Sequence, residues 1–275
     1  MENIKSDIKQ IHEEIAPRYG LIPPEGTSCK WAHFLFRYTV IEKFQNIFKK
    51  INVSPGAHIL EIGCGNGQVA IAFNNYHIIY SGLDFSYKML LHAQKRLTFL
   101  NIPAYHLILG DAEKLPFTSG CFDFVFFYGV MEHLDDPLVV IDEMIRVCKK
   151  NGYICLGVPL KNSIAFWTFL FFGISPKKWN NPPLLDLSFR EKLKYYRFFS
   201  LKKVKKTIAE QFKNQIKLVF EEPICYFYGV GIFELLLKFL FKKLPEEFFY
   251  KIDKIFKKCK VAPAGVFLVY QKVEV

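Results

Sequence analysis

Residues 58 to 67 read HILEIGCGNG, an apolar run that ends in a carboxylate and opens at once into Gly63, Gly65 and Gly67, spaced two apart. Ile59, Leu60 and Ile62 suit a buried parallel strand with Glu61 near its carboxyl end, and glycines beyond it let the backbone turn tightly against a ligand. A dinucleotide fingerprint, Gly-x-Gly-x-x-Gly, needs its third glycine where the helix packs on the strand. Counted from Gly63 that position is Gln68, and counted from Gly65 it is Ala70. The spacing argues against a nicotinamide-dependent oxidoreductase and favours a nucleoside ligand without a pyrophosphate. On the loop alone, a strand-to-helix turn that holds no ligand is the other reading.

A second apolar run, IIYSGLD (78 to 84), ends in Asp84, 21 positions after Gly63. An acid there can accept hydrogen bonds from both hydroxyls of a ribose, and its charge strengthens them. With Glu61 two residues ahead of Gly63, the loop resembles motif I, Glu/Asp-x-Gly-x-Gly-x-Gly, of the class I S-adenosylmethionine-dependent methyltransferases. LDFSYKML (83 to 90) resembles that family's acid-x-Ser-x-x-Met segment, and GDAEKLPF (110 to 117) its next acidic segment. SGCFDFVFFYGVMEHLDDP (119 to 137) is similar to the fourth strand and following loop of the type 11 subgroup, and RVCKKNGYICLGVP (146 to 159) to its helix end, turn and fifth strand.

The resemblance, in the family's order over residues 58 to 159, implies S-adenosyl-L-methionine as cofactor. It implies a site made of Glu61, Gly63, Cys64, Gly65 and Gly67 on the first loop and Asp84, Phe85 and Met89 at the second strand. Met89 would pack on the adenine, Asp111 would bond its amino group with the backbone of Ala112 beside the ring, and Tyr128 and Gly129 would present backbone to the methionine portion. Cys64 is expected to serve packing rather than chemistry.

From residue 58 onward, expected strands near 58 to 62, 78 to 83, 106 to 109, 123 to 128 and 153 to 158 alternate with helical segments near 68 to 73, 86 to 99 and 138 to 149. That alternation predicts an α/β fold, a Rossmann-like doubly wound sheet. SLKKVKKTIAEQF (200 to 212) reads as its last helix, and IKLVFEE (216 to 222) and GVFLVYQKV (265 to 273) as strands six and seven. The family resemblance implies a mostly parallel seven-stranded sheet with the last strand antiparallel between the fifth and sixth.

Residues 1 to 50 read as an N-terminal helical lid segment, with Ile8, Ile11 and Ile15 at helical spacing, and Tyr19 at a position where relatives carry an aromatic. Residues 51 to 275 are expected to form the methyltransferase domain. Helical insertions at 160 to 199 and 223 to 264 contain IAFWTFLFFGI and ICYFYGVGIFELLLKFLFKKL. The first is only 11 residues long, all apolar or glycine but for Thr168, and the second is broken by Glu234 and Lys238, whereas a spanning helix needs about 20 apolar residues. They read as lids over an acceptor pocket, as segments lying at a bilayer surface, or as packing against the sheet's edge.

The chain of 275 residues, 51% hydrophobic, can bury one large core. Its seven cysteines include no Cys-x-x-Cys pair, there is no metal-ligand cluster, and no secretory signal opens the chain, which predicts free thiols and a cytoplasmic protein. Charge is lopsided: residues 1 to 158 carry 15 Lys and Arg against 16 Asp and Glu, and residues 159 to 275 carry 22 against 10. A basic half attracts an anionic membrane surface, nucleic acid or acidic substrates.

Methyl transfer from a sulfonium is an in-line displacement, so alignment and exclusion of water come first and a base is optional. His133, just after the fourth strand, is the candidate base, with Glu132, Asp135 and Asp136 beside it; its alternative role is to hold the loop. NNPPLLD (180 to 186) follows the wrong strand and has Leu184 in place of an aromatic, so amino methylation of adenine in nucleic acid is rejected, and no Pro-Cys pair marks a cytosine enzyme. The reading is a methyltransferase acting on a small, apolar or lipid-like acceptor, peripheral at a membrane surface or free in the cytoplasm. RNA methylation and a non-catalytic, cofactor-binding regulatory protein are the alternatives.

Overall fold

A computed structural model describes residues 40–102, 105–161, 163, 197–224, 251, 253–255, 257–258 and 262–273. Tyr19, most of the N-terminal segment and the interiors of both insertions lie outside the described residues.

Seven strands form one sheet: β1 (His58–Ile62), β2 (Ile79–Asp84), β3 (Tyr105–Leu109), β4 (Phe122–Phe127), β5 (Cys148–Pro159), β6 (Ile216–Pro223) and β7 (Gly265–Lys272). Their order is β3-β2-β1-β4-β5-β7-β6. The first five run parallel, and β7 lies antiparallel between β5 and β6. The chain order reverses between β1 and β4, and in open α/β sheets ligands bind at the carboxyl ends beside such a reversal.

Strands covered on both faces read as unbroken apolar runs rather than alternating ones. Thus Ile59, Leu60 and Ile62 are fully buried, and so are Val125, Phe126 and Phe127. One face carries Leu60, Ile62, Val125, Phe127 and Leu268 against helices α3 (Pro137–Val147) and α4 (Leu201–Gln211). The other carries Ile59, Phe124, Phe126, Phe267 and Val269 against α1 (Glu42–Ile51), the 3-10 helix Val69–Phe73 and the end of α2 (Tyr87–Phe99).

Helix α1 shows how the second face is sealed. Phe44, Ile47, Phe48 and Ile51, at helical spacing, are its buried residues. Phe44 meets Phe126 and Phe267 with ring centroids 4.7 and 4.8 Å apart, and Phe48 stacks on Phe73 at 4.6 Å. Each buried phenylalanine contributes roughly 1.5–3 kcal/mol. Lys43 and Lys50 reach Glu222 on β6, at 3.6 and 2.6 Å, so the helix is also tied to the far edge of the sheet.

All seven expected strands form, and one boundary differs by several residues. The expected helical segment after the glycine loop forms as a 3-10 helix of five residues. Strand β5 begins at Cys148, before the expected turn, and α3 ends at Val147. Lys272 donates to the carbonyls of Ile145 and Cys148 at 2.7 and 2.8 Å, capping α3 there. The polar residues that follow continue as an irregular strand, with Asn151 at φ 61° and a register shift against β4.

Candidate cofactor and acceptor site

The carboxyl ends of β1, β2, β3 and β4 bring the expected site residues to one edge. Gly63 follows β1 directly, Asp84 ends β2, Asp111 follows β3 by two residues, and Tyr128 to His133 follow β4. The glycine loop is fastened to β2: Gly63 and Cys64 both donate to the carbonyl of Leu83, at 2.7 and 3.0 Å. Gly63 stands at φ +68°, and a Cβ there would lie 2.3 Å from Cγ2 of Val130 on the β4 loop. The β1 and β4 loops therefore touch at the reversal point, and only a residue without a side chain permits it.

Asp84 is 4% exposed and holds both sides of this corner. One carboxylate oxygen accepts from the Gly65 amide at 2.8 Å and the other from the Ser86 amide at 2.9 Å. An ionised carboxylate has roughly four acceptor sites, so a group that fixes the loop can also face a ligand's hydroxyls. Ser86 caps α2 by accepting from the Met89 amide at 3.3 Å. Phe85 is half-buried and Met89 buried at the same corner.

Glu61 is buried, and its carboxylate accepts a 2.5 Å hydrogen bond from the hydroxyl of Tyr80. Burial pushes its pKa up to about 8; the Tyr80 bond opposes that rise and the neighbouring Asp84 charge adds to it. Gly82 lies opposite Glu61 in the β1–β2 register. A Cβ on Gly82 would stand 3.0 Å from the Tyr80 hydroxyl and 2.8 Å from the Cys64 sulfur. The missing side chain is thus the space in which Tyr80 meets Glu61 and Cys64 tucks under the loop. Burial, with the Asp84 and Glu61 charges, raises the Cys64 thiol well above its ordinary value, which agrees with packing rather than reactivity.

Asp111 is exposed and Ala112 half-buried. Their loop is folded on itself, with Asp111 accepting from the Glu113 amide at 2.9 Å, and it is clamped from α3. Glu143 accepts from the Leu115 amide at 2.6 Å, and Arg146 donates to the carbonyls of Phe117 and Leu115 at 2.7 and 3.0 Å while pairing with Glu143. The side chain of Tyr128 packs on Phe267 with centroids 5.6 Å apart. The Tyr128 ring is thereby engaged with β7, and Gly129 follows at φ +71°.

His133 closes the 3-10 helix Met131–His133 on the β4 loop. Its amide donates to the carbonyl of Val130 at 2.9 Å, and its Nδ1 is enclosed. The His133 backbone is thus tied to Val130, the residue whose side chain presses on Gly63.

Sequence reasoning missed Tyr80, Asn66 and the Glu143–Arg146 clamp. Asn66 was legible as the polar residue inside the glycine loop: it is 5% exposed, and its amide nitrogen has no hydrogen-bond partner among the described residues. A buried donor without a partner is costly, and beside a loop with nothing within 4 Å of a Cβ on Gly65 it suits a ligand rich in acceptors. Paired acids, an orphan amide and a bare loop fit a ribose-bearing, positively charged cofactor. Among the described residues no cluster could hold a metal.

The comparisons with known proteins agree. Residues 60–156 match the family described as methyltransferase domain. The demethylmenaquinone methyltransferase of Staphylococcus haemolyticus is 34% identical over 116 residues, covering 41% of this chain and 48% of that one. The demethylmenaquinone methyltransferase of Alkalihalophilus pseudofirmus is 30% identical over 169 residues, covering 60% and 68%. A phosphatidylethanolamine N-methyltransferase of Cereibacter sphaeroides is 27% identical over 129 residues, covering 46% and 63%. The aligned stretches thus span from about half to two thirds of these relatives. A solved structure of an S-adenosylmethionine-dependent methyltransferase from Aquifex aeolicus superposes with a TM-score of 0.52 at 13% identity, covering 87% of this chain and 93% of that one, and shows the shared fold. The chain belongs to the class I S-adenosylmethionine-dependent methyltransferases. The cofactor of that family is S-adenosylmethionine.

Proposed function

We propose that this chain transfers the methyl group of S-adenosylmethionine to a small, apolar or lipid-like acceptor. The observation that carries the cofactor half is the corner where Glu61, Asp84 and Asn66 meet a bare glycine loop. The acceptor half is supported by the relatives named as methyltransferases of demethylmenaquinone and phosphatidylethanolamine, and by the aromatic sequences of the two insertions.

Asp84 would hold the ribose, and Glu61, Gly63, Cys64, Gly65 and Gly67 would line the methionine end with the backbone of Tyr128 and Gly129. Phe85, Met89, Asp111 and Ala112 would surround the adenine. When bound, the cofactor supplies a methyl group on a positively charged sulfur, a charge that would favour the ionised form of the buried Glu61 and Asp84 carboxyls. This chain's residues then fix the geometry: the Gly63–Val130 contact sets the spacing between cofactor loop and acceptor loop, which decides in-line approach. His133 would take the proton from a hydroxyl or carbon-acid acceptor.

Calorimetric titration with S-adenosylhomocysteine tests the cofactor half. Binding is expected, and Asp84→Ala should weaken it by about tenfold or more, the factor carried by about 1.4 kcal/mol. No binding to the unmodified chain would overturn the reading. Transfer of labelled methyl into a bacterial lipid extract tests the acceptor half: label in the organic phase supports it, and label only in added RNA favours nucleic-acid methylation, which the basic charge alone supports.

A further inference from the structure

We infer that Arg197 is a positioning residue for the acceptor side of the site: it fastens the loop that carries His133 to the neck of the first insertion. The inference rests on the methyltransferase reading for its consequence, and on hydrogen bonds for its substance. One guanidinium nitrogen donates to the carbonyls of Leu134 and Asp135, at 2.9 and 3.2 Å, and the other to the Asp135 carboxylate at 2.9 Å. These are the two residues immediately after His133.

Both ends of the latch have a firm base. Two residues beyond Arg197, Phe199 donates to the carbonyl of Pro159 at 2.9 Å and accepts from the Lys161 amide at 2.8 Å. Arg197 is therefore anchored to the carboxyl end of β5. The second insertion returns to the same place: the Leu160 amide donates to the carbonyl of Ala264 at 3.0 Å, and Ser163 bridges Ala262. The Ile224 amide donates to Gly265 at 3.0 Å, so the chain also leaves for that insertion beside this knot. On the far side of the loop, Asp136 caps α3 by accepting from the Leu138 amide at 2.9 Å.

Between His133 and that cap lie only Leu134 and Asp135, and Arg197 grips both. A planar fork that meets two carbonyls and a carboxylate together defines orientation in a way a lysine ammonium does not. The ion pair is partly exposed, with Arg197 at 47% and Asp135 at 23%. Exposed pairs add little to global stability, so the latch acts on where the loop sits rather than on whether the chain folds.

Hydrogen–deuterium exchange decides the point without knowledge of the acceptor. In Arg197→Ala, exchange at residues 133 to 136 should rise on the order of tenfold, a local opening without global unfolding. Arg197→Lys should give an intermediate rise, and so should Asp135→Asn, which keeps the carbonyl acceptors. Affinity for S-adenosylhomocysteine should stay within about twofold of the unmodified chain, because every group placed around the cofactor is untouched. Transfer into a lipid extract should lose kcat about tenfold with the KM for S-adenosylmethionine unchanged. Unchanged exchange in Arg197→Ala would overturn the inference, and so would changed exchange with unchanged kcat. If the unmodified chain fails to bind S-adenosylhomocysteine, the methyltransferase reading falls while the exchange result still decides whether Arg197 holds the loop.

Discussion

At the residue scale, Glu61 joins fold to function through a proton. Its pKa is raised to about 8 in the folded chain by burial. In an unfolded chain a glutamate titrates near 4.3. Between those values the folded form keeps a proton that the unfolded form has lost, so its contribution to stability is full below the lower value and is lost as pH rises to the upper. The slope it adds reaches at most about 1.4 kcal/mol per pH unit. Denaturant unfolding of the unmodified chain and of Glu61→Gln, run from pH 6 to 9, isolates this group by difference. The stability of Glu61→Gln relative to the unmodified chain should climb up to about pH 8 and then level; a flat difference would show Glu61 ionised throughout. Tyr80→Phe removes the bond that opposes the rise, so the levelling point should move to higher pH.

Gly63 supplies a second test at this scale. Alanine there meets both a left-handed φ and the methyl of Val130, which together should cost about 2–4 kcal/mol. Adding Val130→Ala should return the steric part and leave the backbone strain. A double variant no more stable to heat than Gly63→Ala alone would mean the contact does not set the cost.

At the scale of elements, α3 acts on the site from a distance. Glu143 and Arg146 sit on one face of α3, three residues apart, and close on the loop after β3 through its backbone. Arg146→Leu removes the two bonds to loop carbonyls and the partner that holds Glu143. Charge-assisted bonds are worth about 1.5–3 kcal/mol each when a partner is left stranded. S-adenosylhomocysteine should therefore bind several-fold more weakly, with the thermal midpoint lowered by a few degrees. Unchanged binding would show that Asp111 needs no support from α3. The Arg146 bond holds the Glu143 carboxyl below its ordinary range, so the clamp contributes above the unfolded value and is lost as pH falls through the folded one.

The same elements show what could be read from the chain. The strands were legible because β1, β4 and β5 are buried on both faces and so are written in unbroken apolar runs. Gly63 and Gly65 were legible because they follow such a run closely, Asp84 because it ends the apolar run of β2, and Asp111 through the family resemblance of its segment. The start of β5 was not, since Lys149, Lys150 and Asn151 carry turn chemistry and lie between Cys148 and Tyr153, which pair with β4, while Lys149 binds Asp123 of β4 and Gln271 of β7 donates to the Asn151 carbonyl. Tyr80, Arg146 and Arg197 were hidden for a related reason. Each acts on a partner 19, 29 or 62 positions away, and nothing local marks a hydroxyl or guanidinium as bound for a distant segment.

At the scale of the molecule, the decisive feature is that both insertions begin and end at one edge of the sheet. The chain's positive excess lies beyond residue 158, with 22 Lys and Arg against 10 Asp and Glu. Both insertions leave or return at the knot formed by Leu160, Phe199, Ile224 and Ala264, next to the β4 loop. Helix α4 starts two residues after Phe199 of that knot, and Lys202 and Lys203 in its first turn are exposed. Among the described residues no helix is long and apolar enough to cross a membrane. We propose that a lipid-like acceptor is reached from a bilayer surface, with Lys202 and Lys203 facing headgroups. Each such lysine contributes about 1 kcal/mol near an anionic surface, an attraction screened over about 8 Å at physiological salt. Co-sedimentation should accordingly show binding to vesicles containing phosphatidylglycerol or phosphatidylserine, weak binding to neutral vesicles, and release as salt rises. Replacing Lys202 and Lys203 by glutamate should weaken vesicle binding by about tenfold or more while leaving S-adenosylhomocysteine affinity unchanged. A chain that stays in the supernatant with anionic vesicles at low salt would place acceptor capture in solution, and retention of an RNA probe under the same conditions would turn the basic half toward nucleic acid instead.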